Sequence, residues 1–461
     1  MKKLIFSIFT ISVLMFSCEN ELIQDPNTNK VADGFYTNEA EIEEAINATY
    51  AVLQFSGNYD IGLPSVGEIP GEDSYDETPA NDGGNYGQLD LYNVIAQNSI
   101  IANIWNHSYI GIQRANIVLN RIESIEYSNE DTKNSRIGEM LFLRSLFYFN
   151  LVRIYGDVPL VTEEVSNPQE YFGQTRTSET EIYDQIKLDL ITAIDLLPIR
   201  NESNKIRVVK TAGQALLGKV ELTLGNYAEA KSILHSVVNS GIHDLVPIAE
   251  VFASDNELNS EIIFAVQFSS GVNGNSEGTD AYRMFNPTGR VEGNMTGTKG
   301  HGVLKPSFYK LYSDNDLRKG TYVGVLESGI AYNRKITIPT TVVGDAESDW
   351  IVLRYADVIL MLAEIENELG NSDQAIQYLN QINNRASIME YTGATDHNSV
   401  FQAIDLQRRL ELVWEGHRWF DLKRQGRTQE VLGISNNDLL LMPLPASQIA
   451  TDNALEQNPG Y

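Results

Sequence analysis

The tripeptide Leu224-Gly225-Asn226 recurs as Leu369-Gly370-Asn371, and the similarity extends beyond it. Five residues after each Gly stands an Ala (Ala230, Ala375), and four further on a Leu (Leu234, Leu379). An apolar run leads into the first copy from Ala215, and Ala363-Glu364 leads into the second. A repeated unit of this size marks stacked helix pairs, because one pair cannot bury its apolar face alone. The Gly supplies the tight turn between two helices. The Ala lets them approach closely. The unit reads as the turn and second helix of a tetratricopeptide-like hairpin. Two copies fall short of the roughly three that a free-standing stack needs. Other helix pairs of degenerate sequence are expected to complete it.

Helical patterns fill much of the rest. Asn38–Gln54 is expected to be helical, with Thr37 or Asn38 as N-cap and Ile42, Ala45, Ile46, Thr49 and Leu53 on one face. Asn98–Ile122 is a long amphipathic run. Glu139–Tyr155 holds Leu141, Phe142, Leu146, Phe147, Phe149 and Leu151, so it must be buried on most sides. Gly156-Asp157-Val158-Pro159 ends it. Ser178–Leu197 begins with Ser178 capping and Glu181 reaching back, and stops at Pro198. Short strands are expected at Ile262–Phe268 and Ile336–Val343. The expected fold is mainly α: a tetratricopeptide-like helix-hairpin scaffold with long loops and a few short strands.

Two Gly/Asn-rich stretches interrupt the helices. Ser56–Gln88 carries Tyr59, Tyr75 and Tyr86; Ser269–His301 carries Tyr282, Arg283, Phe285 and Arg290. Loops of this length inside a compact domain are uncommon and usually functional or disordered.

The N-terminus gives an address. Met1-Lys2-Lys3 precedes an apolar stretch from Leu4 to Phe16, and then Ser17-Cys18. A basic start, a short apolar run and a small residue before the cut describe a secretory signal. Cys18 is the one Cys in 461 residues and stands where bacterial lipoprotein processing attaches lipid. Met15 occupies the position three before it. Residues 1–17 are therefore expected to be a signal peptide, and 18–36 a lipid anchor and polar tether. Beyond residue 17 the chain has 32 basic and 62 acidic residues. Such a charge excludes a nucleic-acid-binding surface, which depends on neutralising phosphates. It also makes anionic lipid repulsive, so membrane attachment falls to acyl chains.

Nothing in the sequence carries catalysis. Gly274-Asn275-Ser276-Glu277-Gly278 fits a nucleophile-elbow pattern but lacks the strand running into it and the helix after it. The six His residues (His107, His235, His243, His301, His397, His417) show no metal-ligand spacing. No cofactor is expected. A structural Ca²⁺ is conceivable at turns such as Asp314-Asn315-Asp316, which reads as a solvated cap. His417, Arg418, Lys423, Arg424 and Arg427, interleaved with Glu411, Glu415 and Asp421, read as an ion-paired helix end.

Four segments resemble the SusD/RagB lipoproteins of Bacteroidetes. They are Glu411-Leu412-Val413-Trp414-Glu415-Gly416-His417-Arg418-Trp419-Phe420-Asp421-Leu422-Lys423-Arg424, the stretch Leu353–Glu364, the stretch Arg144–Leu160, and the ending Met442-Pro443-Leu444-Pro445 with Gln457–Tyr461. The acidic tether after Cys18 is similar to the surface-export signal of such lipoproteins. The resemblance implies a surface-exposed, lipid-anchored outer-membrane protein with an N-terminal part (37–255) and a C-terminal part (256–461) in one compact unit. It implies a binding protein rather than an enzyme. Its partners would be a SusC-like TonB-dependent transporter and an oligosaccharide, or a peptide in the RagB branch. Trp414, Trp419, Phe420, Tyr355 and Phe147 are expected in the core, and Arg354, Asp357 and Asp421 as ties between helices. Sugars offer C–H faces that stack on rings and hydroxyls that need polar side chains. The ligand candidates are therefore Tyr59, Asp73, Tyr75, Asn85 and Tyr86 in the first loop, and Tyr282, Arg283, Phe285 and Arg290 in the second.

Overall fold

The computed structural model describes residues 34–167, 172–271, 277–291, 296–336 and 342–461. Cys18 and the expected signal and tether up to residue 33 lie outside the described residues, as do Gly274, Asn275 and Ser276 of the elbow-like pattern. No described helix is long and apolar enough to cross a membrane.

The helices that build the body are α1 (Glu39–Ala51), α2 (Gly62–Glu68), α3 (Asn85–Asp90), α4 (Ser99–Ile122), α5 (Glu130–Tyr155), α6 (Glu179–Leu196), α7 (Lys210–Thr223), α8 (Tyr227–Asn239), α9 (Tyr355–Glu368), α10 (Ser372–Arg385), α11 (His397–Leu412), α12 (Arg418–Arg424) and α13 (Ala446–Thr451). Side-chain caps set several starts. Asn38, rather than Thr37, accepts from the Glu41 amide. Asn98 caps α4. Ser178 accepts from the Glu181 amide and donates to its carboxylate. The helix read from Glu139 starts nine residues earlier, at Glu130, under an Asn129 cap. Its first two turns are polar, so apolar periodicity could not reveal them.

The stack is continuous. From α4 to α8 each helix packs on the next; α7 and α8 abut α9, which packs on α10 and α11. The two repeat copies are α7–α8 and α9–α10. Gly225 and Gly370 take φ of 75° and 79°, and their amides donate to Leu222 O and Asn367 O, three residues back in each case. The following Asn repeats its contacts as well. Asn226 Nδ2 donates to Glu221 Oε2 at 2.7 Å, and Asn371 Nδ2 to Glu366 Oε2 at 2.9 Å. Ala230, Ala375, Leu234 and Leu379 are all buried.

Antiparallel two-stranded ladders supply the β structure: β1 (Ser74–Tyr75) with β5 (Val303–Leu304), β2 (Ile262–Val266) with β8 (Trp350–Arg354), β3 (Gly289–Arg290) with β4 (Thr296–Thr298), and β6 (Val323–Val325) with β7 (Ala331–Asn333). The strand expected at Ile262–Phe268 is β2, two residues shorter. Ile336 is in a turn, and residues 337–341 of the other expected strand lie outside the described residues.

The signature residues form the inside of this body. Trp414, Trp419, Phe420, Tyr355 and Phe147 are buried in the main core. Arg144 clasps Asp189 with two parallel hydrogen bonds of 2.7 and 2.8 Å, tying α5 to α6. Arg354 meets Glu415, Glu411 and Glu261; Asp357 accepts from Lys219 and Arg408; Asp421 accepts from Arg408 and Arg424. The Asp314-Asn315-Asp316 turn is not simply a solvated cap. Asp314 is exposed beside Lys319, whereas Asp316 is sealed and grips Arg318 at 2.8 and 2.9 Å. Buried Arg318 needs a counter-ion, and Asp316 is the nearest carboxylate in sequence.

Candidate functional site

The two long loops converge, although some two hundred residues separate them. The β1–β5 ladder places Ser74 against Leu304 and Tyr75 against Val303. Main-chain bonds continue on both sides: Lys305 N donates to Asp73 O at 2.9 Å and Glu77 N to Gly300 O at 2.8 Å. Side chains add to this. Glu77 Oε2 accepts from the Thr288 amide and hydroxyl at 2.9 and 3.1 Å. Asp60 Oδ1 accepts from the Asp280 amide at 2.6 Å and the Thr279 hydroxyl at 3.1 Å. Burial pushes the Asp60 carboxyl up to about 6.

His301 sits at the centre of the junction, fully buried. Its Nδ1 lies 3.1 Å from the Asp76 carboxylate and its Nε2 2.8 Å from Asp82 Oδ2. Tyr86 stacks on its ring, with centroids 4.0 Å apart. Lys299 Nζ reaches Asp82 at 2.9 Å. Among the described residues no three His, Cys, Asp or Glu side chains are placed to hold a metal ion.

This arrangement sorts the expected ligand residues. Tyr75 keeps a partly exposed ring at the ladder, and its hydroxyl makes no hydrogen bond among the described residues. Arg283 is partly exposed and pairs with Asp280 at 2.9 Å. Asn85 is partly exposed, but its amide is spent on Ser99 N and Asp82 O. Arg290 lies in β3, and its side chain is outside the described residues.

Five candidates need correcting as surface groups. Tyr59 is in the core, where its hydroxyl accepts from Asn150 Nδ2 at 3.0 Å. Asp73 is buried against Arg409. Tyr86 lies under His301. Tyr282 is sealed with Val291, Tyr332 and Ala346, and Phe285 packs towards Trp350. The physical reasons differ: Tyr59, Tyr86 and Phe285 join the main core with the helices, Tyr282 seals a small separate core, and Asp73 is drawn in as the counter-ion of Arg409.

A second concavity, of about 630 Å³, opens beside α4 and α13. Trp105, Tyr109 and the half-exposed Phe172 give it three rings. Gln448 Nε2 donates to Asn106 Oδ1 at 3.0 Å on its rim, and Asp452 accepts from the Gly173 amide at 2.9 Å. Sequence reasoning missed it. Trp105 and Tyr109 lie four apart on an amphipathic helix and look like core; only the aromatic pair Tyr171-Phe172 in an otherwise polar stretch could have hinted at it.

Comparison with known proteins places this geometry. Residues 36–222 match the family model described as "Starch-binding associating with outer membrane", and residues 327–439 match that of the SusD family. The chain is 27% identical over 469 residues to SusD-like protein P25 of Formosa agariphila, covering 90% of this chain and 88% of that one. It is similar to the solved structure of a laminarin-binding SusD-like protein, with 26% identity, a TM-score of 0.81, and coverage of 92% of this chain and 100% of the other. Surface glycan-binding protein A of Bacteroides thetaiotaomicron, solved with laminarihexaose, shares the fold at 20% identity, with a TM-score of 0.79 over 92% of this chain and 100% of that one. With helix stack, signature ties and both matched segments in agreement, the chain belongs to the SusD/RagB family.

Proposed function

We propose that this protein binds an oligosaccharide at the cell surface and passes it to a TonB-dependent, SusC-like transporter in the outer membrane. It does so without chemical change to the sugar. Cys18 carries the lipid that holds it there. The observation that carries this reading is the convergence of both long loops on one outer face, with the uncommitted Tyr75 ring at their seam. A ring for stacking, at a seam whose two loops also carry Asn81, Arg283 and Thr288, suits a ligand with apolar faces and hydroxyl rims. The family-model matches support it, as does the likeness to a laminarin-binding protein. The second loop, 269–301, falls in the stretch 223–326 that neither family model matches. That is where ligand preference would be set.

The ring-lined cleft at Trp105, Tyr109 and Phe172 favours a second location for the same function. Isothermal titration with a panel of intact oligosaccharides, laminarin fragments included, separates the two. Tyr75→Ala should weaken binding about tenfold, the ~1.4 kcal/mol of one good stacking contact. Phe172→Ala should leave it unchanged. The reverse pattern would move the site to the cleft. Shortening of the sugar during titration would count against a purely binding role.

A further inference from the structure

A third cavity, of about 310 Å³, lies between the last turn of α5 and α12. Two cations line it that form no ion pair with any described carboxylate. Arg153 spends Nε on Phe149 O and Nη2 on Asn150 Oδ1, at 3.1 and 2.7 Å. Its guanidinium is held between the rings of Phe149 and Phe420, 3.9 and 4.1 Å from their centroids. Nη1 has no partner. Lys423 Nζ donates to Arg153 O at 2.6 Å, which leaves two of its three ammonium hydrogens unused.

The other cations around the cavity are already matched. Lys219 and Arg408 share Asp357; Arg408 and Arg424 share Asp421; Arg424 also holds Glu364. His417 is neutral, pushed down to about 3 by burial and then by Lys219. Tyr183 is buried and pushed up by that burial. Glu179 stands exposed at the mouth, acting on Lys423 through space but in ion-pair contact with no cation among the described residues. The walls are otherwise apolar: Leu222, Met361 and Leu441.

A half-buried cation without a counter-ion beside it is costly. Here the cost shows. Burial pushes Lys423 down to about 7 and Arg153 down to about 10. In a chain of net charge −28 there is no shortage of carboxylates that could have been placed beside them. A site of about 300 Å³ is at the small end of those that hold organic ligands, and the apolar walls suit a carbon skeleton better than a bare hydrated ion.

We infer that this cavity is an anion site, with Arg153 and Lys423 facing the carboxylate of a ligand about the size of one acidic sugar. The inference is independent of the loop face and of any neutral glycan bound there.

Thermal-shift and calorimetric titrations at constant ionic strength test it, with sodium glucuronate, glucose and sodium sulfate as probes. Glucuronate should raise the melting temperature and glucose should not. Sulfate should bind at least tenfold more weakly than glucuronate. Binding should be tighter at pH 6 than at pH 8, because Lys423 carries its proton below about 7. Lys423→Gln should weaken glucuronate about tenfold and flatten this pH dependence. If that variant does not fold, the wild-type contrast between pH 6 and pH 8 still decides. Equal responses to glucose and glucuronate, no response at all, an unchanged Lys423→Gln, or no pH contrast would each overturn the site. Sulfate binding as tightly as glucuronate would overturn its assignment to a carboxylate.

Discussion

Arg354 and Glu415 meet through two parallel hydrogen bonds, Nε to Oε2 at 2.7 Å and Nη2 to Oε1 at 2.8 Å, with both side chains buried. Arg354 also reaches Glu261 and Glu411, at 2.8 and 2.9 Å. One guanidinium thus serves three buried carboxylates and joins β8 to the end of α11. Arg354→Met would take one partner from all three, while Arg385 still faces Glu261 and Glu411, Arg318 faces Glu411 and Lys335 faces Glu415. The expected loss in urea unfolding is about 3 kcal/mol, the low end for breaking a buried pair, because each carboxylate keeps a cation. Oligosaccharide affinity of the fraction that remains folded should not change, since Arg354 faces no solvent.

The two repeat turns give a second test. An added Cβ would meet nothing within 4 Å at Gly225 or at Gly370. Any cost of Gly→Ala there is therefore backbone strain at positive φ, about 1–2 kcal/mol. The two variants should lose nearly the same stability by chemical unfolding. A large difference would mean that the copies are alike in sequence but not in energetics.

Glu68 on α2 is buried beneath Gly416 and accepts from its amide at 3.3 Å. Burial pushes its carboxyl up to about 8. Its value in the unfolded chain is about 4.3. A raised carboxyl favours the folded state when protonated, so this contribution is complete below about pH 4 and is lost as pH climbs towards 8. Asp349 and Asp60, pushed by burial up to about 7 and about 6, act in the same direction. His417 and His243, pushed by burial down to about 3 and about 4, act oppositely up to about pH 6.5 and offset part of this, and Lys423 acts oppositely from about pH 7 upward. Melting temperatures should therefore fall between pH 5 and pH 7, and Glu68→Gln should reduce the slope.

Cys18→Ala should leave folding and sugar binding intact, because the described body from residue 34 onward makes its own core. It should release the protein from the membrane fraction and abolish uptake. Normal uptake by this variant, followed with labelled oligosaccharide, would show that lipid does not position the protein.

The sequence was legible where local chemistry dictates geometry. Gly225 and Gly370 announced their turns, Ser178 its cap, and the aromatic run from Leu141 its burial. Arg354, Asp357 and Asp421 could be read as ties because charged residues on apolar helices need partners. Their partners could not be named, since Glu261 and Lys219 lie far off in sequence. The meeting of the two loops was equally hidden. A two-residue strand such as Ser74–Tyr75 leaves no periodicity, and its partner comes more than two hundred residues later. For the same reason Tyr86, Tyr282 and Phe285 looked available. Composition tells that a loop has rings, not which way they turn.

Part of the seam between the loops is sewn with peptide groups alone: Ser74 to Leu304, Tyr75 to Val303, Glu77 to Gly300, Lys305 to Asp73. Peptide groups are the same in every residue except Pro. A surface closed in this way tolerates exchange of nearly any outward side chain without coming undone. Descendants of one ancestral body can thus acquire new tastes by altering a few outward positions such as Tyr75, while the helices beneath, bound by their own buried charges, have no cause to change.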